Sequence, residues 1–288
     1  MWKSKRKLPD LVDYPGSRDR PWNEIPLGVS ASGEVVWDVQ DAPTLRVVGT
    51  SGSGTGTLMR DVLIHCSLHS DDWEVWGVDV LLMTLLQYKK TYSLLKEFAY
   101  KINEGSKLCQ SLCDEMEDRY QQMKAAGVRH FRDLPEPPKA ILLTIHEAGI
   151  FLDRAEYNPK PGKYDPAVAE SWDGELAAKN EARKALFHLA REGRAAGIYV
   201  FMTIDQHTRH EVPDFQQSSG LVVLGRGVTT STVRTLLWQD DIAYDLSPKA
   251  VPGRGVFKTH KGEDGTLFQT YFSEASKWLY KANDYNQR

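Results

Sequence analysis

Residues 49–57 read Gly-Thr-Ser-Gly-Ser-Gly-Thr-Gly-Thr. Glycines in such a run let backbone N–H groups face an anion at the start of a helix. Gly49 and Gly54 have the spacing of a phosphate-binding loop of the form G-x-x-x-x-G-K-[ST]. In that loop the lysine neutralises β/γ-phosphate charge and the next hydroxyl holds magnesium. Here those two positions are Thr55 and Gly56, so Gly49, Thr50, Ser51, Gly52, Ser53 and Gly54 form a cradle without either group. Thr57 offers a hydroxyl if the loop shifts, and Arg46 and Arg60 are the cations near enough in sequence to reach a phosphate. Without the lysine, a tight strand-to-helix turn competes with the phosphate reading. His65 and His69, four apart on an expected helix, make either a metal pair or a surface pair; no third ligand accompanies them, and the surface pair is preferred. Cys109 and Cys113 share a helical face and read as small buried residues.

The elements that must hold this loop follow from periodicity. Leu45 to Val48 is a buried strand feeding the glycines, and a helix runs from about 55 to 68. Leu27 to Trp37 suggests a hairpin turning near Ser32-Gly33. Trp73 to Val80 alternates apolar and polar residues, as a strand does, ending at Asp79, and residues 92–125 carry helical periodicity with charges three and four apart. Ala140 to Ile145 is apolar apart from Thr144, as a central parallel strand requires. A helix from about 173 to 195 precedes a strand at Ile198 to Ile204. A short strand at Leu221 to Leu224 and a hairpin over Gly255–Thr259 and Thr266–Phe272 complete the pattern. Alternating strands and helices imply an α/β fold with a mostly parallel central sheet and helices on both faces. Residues 1–24 read as an irregular basic and Pro-rich lead-in, 25–272 as one domain with an exposed insertion at about 153–172, and 273–288 as a C-terminal helix or tail.

Composition narrows the class. A chain of 288 residues with 41% apolar and 26% charged residues is ordinary for a globular protein, and a net charge of −3 argues against a surface coated for nucleic acid while leaving room for a local basic stripe. Three cysteines build no disulfide framework and fit a reducing compartment. No apolar stretch approaches ~20 residues, so no membrane span is expected.

Five segments follow one another in order: Ile25-Pro26-Leu27-Gly28, the loop at 49–54, Glu115-Met116-Glu117-Asp118-Arg119-Tyr120 leading into Ala126-Gly127-Val128-Arg129, Leu189 to Ile198, and Pro252-Gly253-Arg254-Gly255. Together they resemble the motor domain of the FtsK/SpoIIIE DNA translocases. The resemblance implies a RecA-like P-loop core using ATP and Mg, assembled as a hexameric ring that drives double-stranded DNA through its pore. It implies a bacterial cytoplasmic protein, carried in short standalone form by a phage or mobile element. Membrane anchoring and DNA orientation are then expected from elsewhere, including a partner subunit or recruiting protein.

The same resemblance places the acidic pair of the site after the strand at 140–145. The residues there are His146-Glu147: Glu147 is present to activate water, and the magnesium-directed aspartate is a histidine. An ungapped count from Ala195-Ala196-Gly197-Ile198 puts Asp205 where the family usually has glutamine. Arg194, with Arg191 beside it, is either an arginine acting across a subunit boundary or an interface salt-bridge former, and basic residues between 205 and 234 are the candidates for a pore. The departures at Thr55, Gly56, His146 and Asp205 predict a double-stranded-DNA-handling family member whose hydrolysis is weak or lost. The alternatives are a non-catalytic scaffold binding protein partners and a relative of the type VII secretion ATPases, which move protein.

Overall fold

A computed structural model of the chain describes residues 8–82, 84–89, 95–153, 166–205, 219–237, 246, 248–259 and 264–274. The basic start at 1–7, residues 154–165 of the expected insertion and the expected tail from 275 lie outside these.

An apolar hairpin comes first, β1 (Glu24–Ser30) and β2 (Gly33–Asp38), followed by β3 (Thr44–Gly49), the glycine loop and α1 (Thr55–Leu68). Next are β4 (Trp73–Asp79), the single turn α2 (Leu86–Lys89), β5 (Leu95–Ala99) and α3 (Ile102–Ala126). β6 (Ala140–His146), α4 (Ala148–Leu152), α5 (Pro166–Ala196) and β7 (Ile198–Asp205) build the centre. β8 (Ser219–Leu224), α6 (Thr230–Leu237), β9 (Arg254–Lys258) and β10 (Thr266–Thr270) complete it. All ten strands form one sheet in the order β2-β1-β10-β9-β8-β3-β7-β6-β4-β5. The run from β8 to β5 is parallel. From β8 outward through β9, β10, β1 and β2 the pairing is antiparallel.

The α/β expectation holds, with helices on both faces. Every residue of β6 is buried, since its two faces are covered by different helices. Ile141, Leu143 and Ile145 pack with Leu112 of α3 and Leu186 and Leu189 of α5, whereas Ala140 and Leu142 pack with Leu58 and Val62 of α1.

Two expectations need correction. Helical periodicity is expected from 92, but Leu95–Ala99 is a strand at the sheet edge, with Lys96 and Glu97 exposed as an edge strand tolerates. The expected strand β4 is buried along most of its length, because it lies between β5 and β6. The helix expected from 173 begins at Pro166, a residue suited to a first helical turn, which shortens the expected insertion at 153–172. The lead-in is irregular but packed down: Tyr14 is buried, and backbone bonds join it and Val12 to Phe272.

The segments that carried the resemblance at 115–120 and 189–198 prove to be one packing device. Arg119, 2% exposed, donates from Nη1 to the Ala196 carbonyl at 2.8 Å and from Nε to Glu115. It thereby satisfies an orphan acceptor at the C-terminus of α5. The Tyr120 hydroxyl donates to the Glu192 carbonyl. Gly197 ends α5 at φ 75° against the Phe131 ring, where a Cβ would lie 2.7 Å from it. Replacing Arg119 by Met should cost about 2 kcal/mol of unfolding free energy in urea titrations, since a buried carbonyl loses a charged donor. Glu115→Ala, at the exposed end, should cost about 0.5 kcal/mol or less. Equal costs would show that the carbonyl contact is not what matters.

Candidate functional site

The site is assembled at the carboxyl ends of the parallel strands. β3 ends at Gly49, where a Cβ would lie 2.3 Å from the Ser53 hydroxyl, so the loop folds back only on glycine. Gly52 (φ 75°) and Gly54 (φ 113°) take left-handed conformations, and the loop closes with the Ser53 amide on the Thr50 carbonyl at 3.0 Å. The loop is braced from outside. The Thr50 hydroxyl donates to the Arg226 carbonyl, and the Gly253 amide donates to the Ser53 carbonyl at 2.7 Å. The late Pro252-Gly253 segment of the resemblance is therefore a wall of the P-loop.

Helix α1 starts at Thr55 with Gly54 as its cap, without a side-chain cap bond and without an acidic residue in its first turn. Its leading amides thus remain oriented toward an anion. A cleft of about 380 Å³ opens there, lined from the loop and helix by Gly52, Gly54, Thr55, Gly56, Thr57 and Arg60. Thr84, Tyr88 and Pro252 face them. Of the two cations weighed from sequence, Arg60 lines the cleft, whereas Arg46 lies within β3, paired with β7 and β8.

Thr84 connects the cleft to the next pair of strands. Register places Asp79 beside His146. Asp79 accepts from the amides of Thr84 and Leu85 at 2.9 and 2.8 Å and from His146 Nδ1 at 3.3 Å. Burial pushes the Asp79 carboxyl up, but these three donors outweigh it and hold it at a pKa of about 2. An ionised carboxylate only accepts, so the His146 proton sits on Nδ1, and Nε2 accepts from the Thr84 hydroxyl at 3.2 Å. Asp79, seen in the sequence only as the end of a strand, is thus a missed member of the site. A buried Asp at a strand's carboxyl end, next to another strand ending in His, is a signal visible only once register is known.

Glu147 follows His146 with φ 52° and ψ 56°, a left-handed conformation that costs a non-glycine residue on the order of 1 kcal/mol. The Thr203 hydroxyl accepts from its amide at 3.0 Å, and its Oε2 accepts from the Asp205 amide at 3.1 Å. Burial raises the Glu147 carboxyl, and Asp205 and Asp79 add to this against the pull of His146. A carboxyl raised in this direction is a better proton acceptor than a free one. Asp205 closes β7 directly beside Gly49, at the position counted for it from sequence.

One arrangement differs from the sequence reading. His65 and His69 are not a surface pair: His65 is wholly buried, its Nε2 bonded to the Trp22 carbonyl and its ring 4.5 Å from that of His69. Burial lowers the His65 pKa to about 3. Arg194 donates to the Gln40 carbonyl before β3, roughly 20 Å of strand from the glycine loop of its own cleft. Arg191 is paired with Glu192. Of the basic stretch between 205 and 234, residues 206–218 lie outside the described residues.

Comparison with known proteins agrees with this geometry. The chain matches the model of the FtsK/SpoIIIE family over residues 10–208. It is 26% identical over 203 residues to the DNA translocase FtsK of Streptococcus pneumoniae, covering 69% of this chain and 24% of that protein. The chain thus spans about a quarter of the length of the curated relatives it matches. Among solved structures, the pCW3 conjugation coupling protein TcpA in its monomer form with ATPγS superposes with a TM-score of 0.77 at 20% identity, over 97% of this chain and 75% of that one. EssC (ATPases 2 and 3) from Geobacillus thermodenitrificans gives 0.75 at 17% identity, over 98% and 53%.

The Asp79 contacts set a pH dependence. Its folded pKa lies below the unfolded value, so its contribution is full above about pH 4 and is lost as pH falls through about 2. Urea unfolding should therefore show the parent chain losing about 2 kcal/mol between about pH 5 and pH 2 that Asp79→Asn does not lose. Parallel pH profiles for the two would remove Asp79 as the anchor of this cluster.

Proposed function

The chain belongs to the FtsK/SpoIIIE family, and from that premise we propose that it handles double-stranded DNA within a ring of copies, binding nucleotide in the P-loop cleft and hydrolysing it weakly or not at all. One observation carries the hydrolysis reading. The cleft is built and braced, yet Thr55 stands for the lysine, Gly56 for the magnesium hydroxyl, and His146 for the aspartate, with both ring nitrogens engaged. Glu147 keeps a water-activating carboxylate, but the charge that would stabilise a transferring phosphoryl group is missing around it.

The DNA reading rests on the sequence relatives, which are DNA translocases at about a quarter identity, whereas the secretion-type neighbours share the fold at lower identity. A ring is supported by the placement of Arg191 and Arg194 on the edge away from their own cleft, where a group serving a neighbouring copy belongs. Nucleotide in the cleft accords with the ATPγS of the TcpA structure. No described helix is long and apolar enough to cross a membrane, and a bacterial cytoplasmic site, on a phage or mobile element, completes the proposal.

Labelled duplex titrated with purified chain should bind at low salt, with affinity falling on the order of a thousandfold between about 50 mM and 200 mM salt as counterions are released. A chain that ignores duplex at low salt overturns the DNA reading in favour of a protein-moving or scaffold role. Phosphate release should stay near background with or without DNA, and Thr55→Lys, Gly56→Ser and His146→Asp together should create turnover. Rapid hydrolysis by the unmodified chain would refute the weak-hydrolysis reading.

A further inference from the structure

Magnesium is poorly matched by the lining of this cleft, whose oxygen side chains are the neutral hydroxyls of Thr55, Thr57, Thr84 and Tyr88, with no carboxylate among the described lining residues. The ion takes oxygen ligands in near-octahedral geometry and keeps several waters that carboxylates must hold. Gly56 provides no hydroxyl, and space is open where its side chain would begin. His146 donates from Nδ1 to Asp79 and accepts at Nε2 from Thr84, so neither nitrogen has a lone pair to offer. Asp79 has one oxygen on His146 and the other on two amides. Glu147 has one oxygen on the Asp205 amide.

Phosphate charge nevertheless has a partner. Arg60 lies five residues after Thr55, about 7.5 Å along the helix axis, and helical side chains lean toward the N-terminus. It therefore reaches back into the cleft beside Gly54 and Thr57. Its Nε donates to the Ser273 hydroxyl at 2.9 Å and an Nη donates to the Ser273 carbonyl, so the guanidinium is held in place before any ligand arrives. A planar cation fixed in this way loses little freedom on meeting an anion. Inside the loop, Ser53 is wholly buried with its hydroxyl against Gly49 and no partner among the described residues. The uncapped amides of α1 complete an anion-binding surface that needs no metal.

We propose that this cleft binds the polyphosphate of a nucleotide without a divalent metal, with Arg60 as the countercharge in place of the P-loop lysine. The proposal rests on the reading of the cleft as a nucleotide site. The test is fluorescence anisotropy of the whole chain with a fluorescent ATP analogue, in EDTA and in excess magnesium chloride, with inorganic tripolyphosphate as competitor. The two affinities should agree within about twofold, and Arg60→Ala should weaken both by about tenfold or more, as expected for losing a charged hydrogen-bonding partner. Arg60→Lys, which keeps the charge, should lose less. Thermal melts check that these variants fold. A second variant leaves Arg60 untouched: Gly56→Ser with His146→Asp restores the oxygen donors and should make binding at least about fivefold tighter with magnesium than with EDTA. Binding that disappears in EDTA, or that survives Arg60→Ala unchanged, overturns the proposal while leaving a nucleotide site. Absence of binding under every condition overturns the proposal and the nucleotide reading together, and leaves the duplex titration to decide the DNA reading.

Discussion

Parallel register is the constraint on which the candidate site depends. Gly49 stands beside Asp205 and Asp79 beside His146, while Ile145 pairs with Met202, so β3 ends level with β7 and β4 with β6, and β7 runs two residues past β6. Each strand is held by its two neighbours, and slipping any pair by one residue would turn a buried face outward. The loop glycines, Glu147 and the Asp79–His146 pair therefore have fixed relative heights before any ligand is considered. The strain at Glu147 is compatible with this, because Thr203 and Asp205 of the adjoining strand hold both ends of the residue.

Within that frame, the balance of charge has moved. A P-loop site places a lysine and a metal ion against phosphate and a carboxylate against the metal's waters. Here the carboxylate at the strand tips, Asp79, points its lone pairs at His146 and at two amides. Its ionisation is stabilised internally, so it contributes to the rigidity of the β4–β6 edge rather than to a metal. Glu147 is pushed the other way, upward, by burial and by Asp205. Two carboxylates a few residues from one another in space have thus been separated in proton affinity by their donors.

The parts legible in the sequence were those set by short-range rules. A glycine run after an apolar strand, an all-apolar β6 and the long helices follow from conformational freedom and burial period. The parts that were not legible depend on neighbours. Leu95–Ala99 is too short for its alternation to interrupt the helical pattern around it, and β4 becomes interior only because β5 pairs outside it. His65 is buried because the lead-in folds back and brings the Trp22 carbonyl to it, a contact between residues 43 apart. Asp79 entered the site through register, and Arg60 through the direction in which helical side chains lean. The placement of His146, Glu147 and Asp205 at strand ends, by contrast, followed from counting along two buried strands.

Resemblance and chemistry also separate along this line. The segment pairing Glu115 to Tyr120 with Leu189 to Ile198 identified the family, yet its side chains cap α5 and lock α3 against it, far from the glycine loop. At Gly193 a Cβ would lie 2.6 Å from the Ile198 carbonyl, and at Gly197, φ 75°, it would lie 2.7 Å from the Phe131 ring. Such positions are demanded by packing whether or not the protein turns over nucleotide. Thr55 and Gly56 line the cleft, with open space where a Cβ at 56 would begin, and His146 sits in a hydrogen-bond network with Asp79 and Thr84. Packing and chemistry are thus assigned to different residues: the glycines and Arg119 fix how the helices meet, the loop backbone and Arg60 line the cleft, and positions 55, 56 and 146 hold Thr, Gly and His where a P-loop site has a lysine, a hydroxyl and an aspartate.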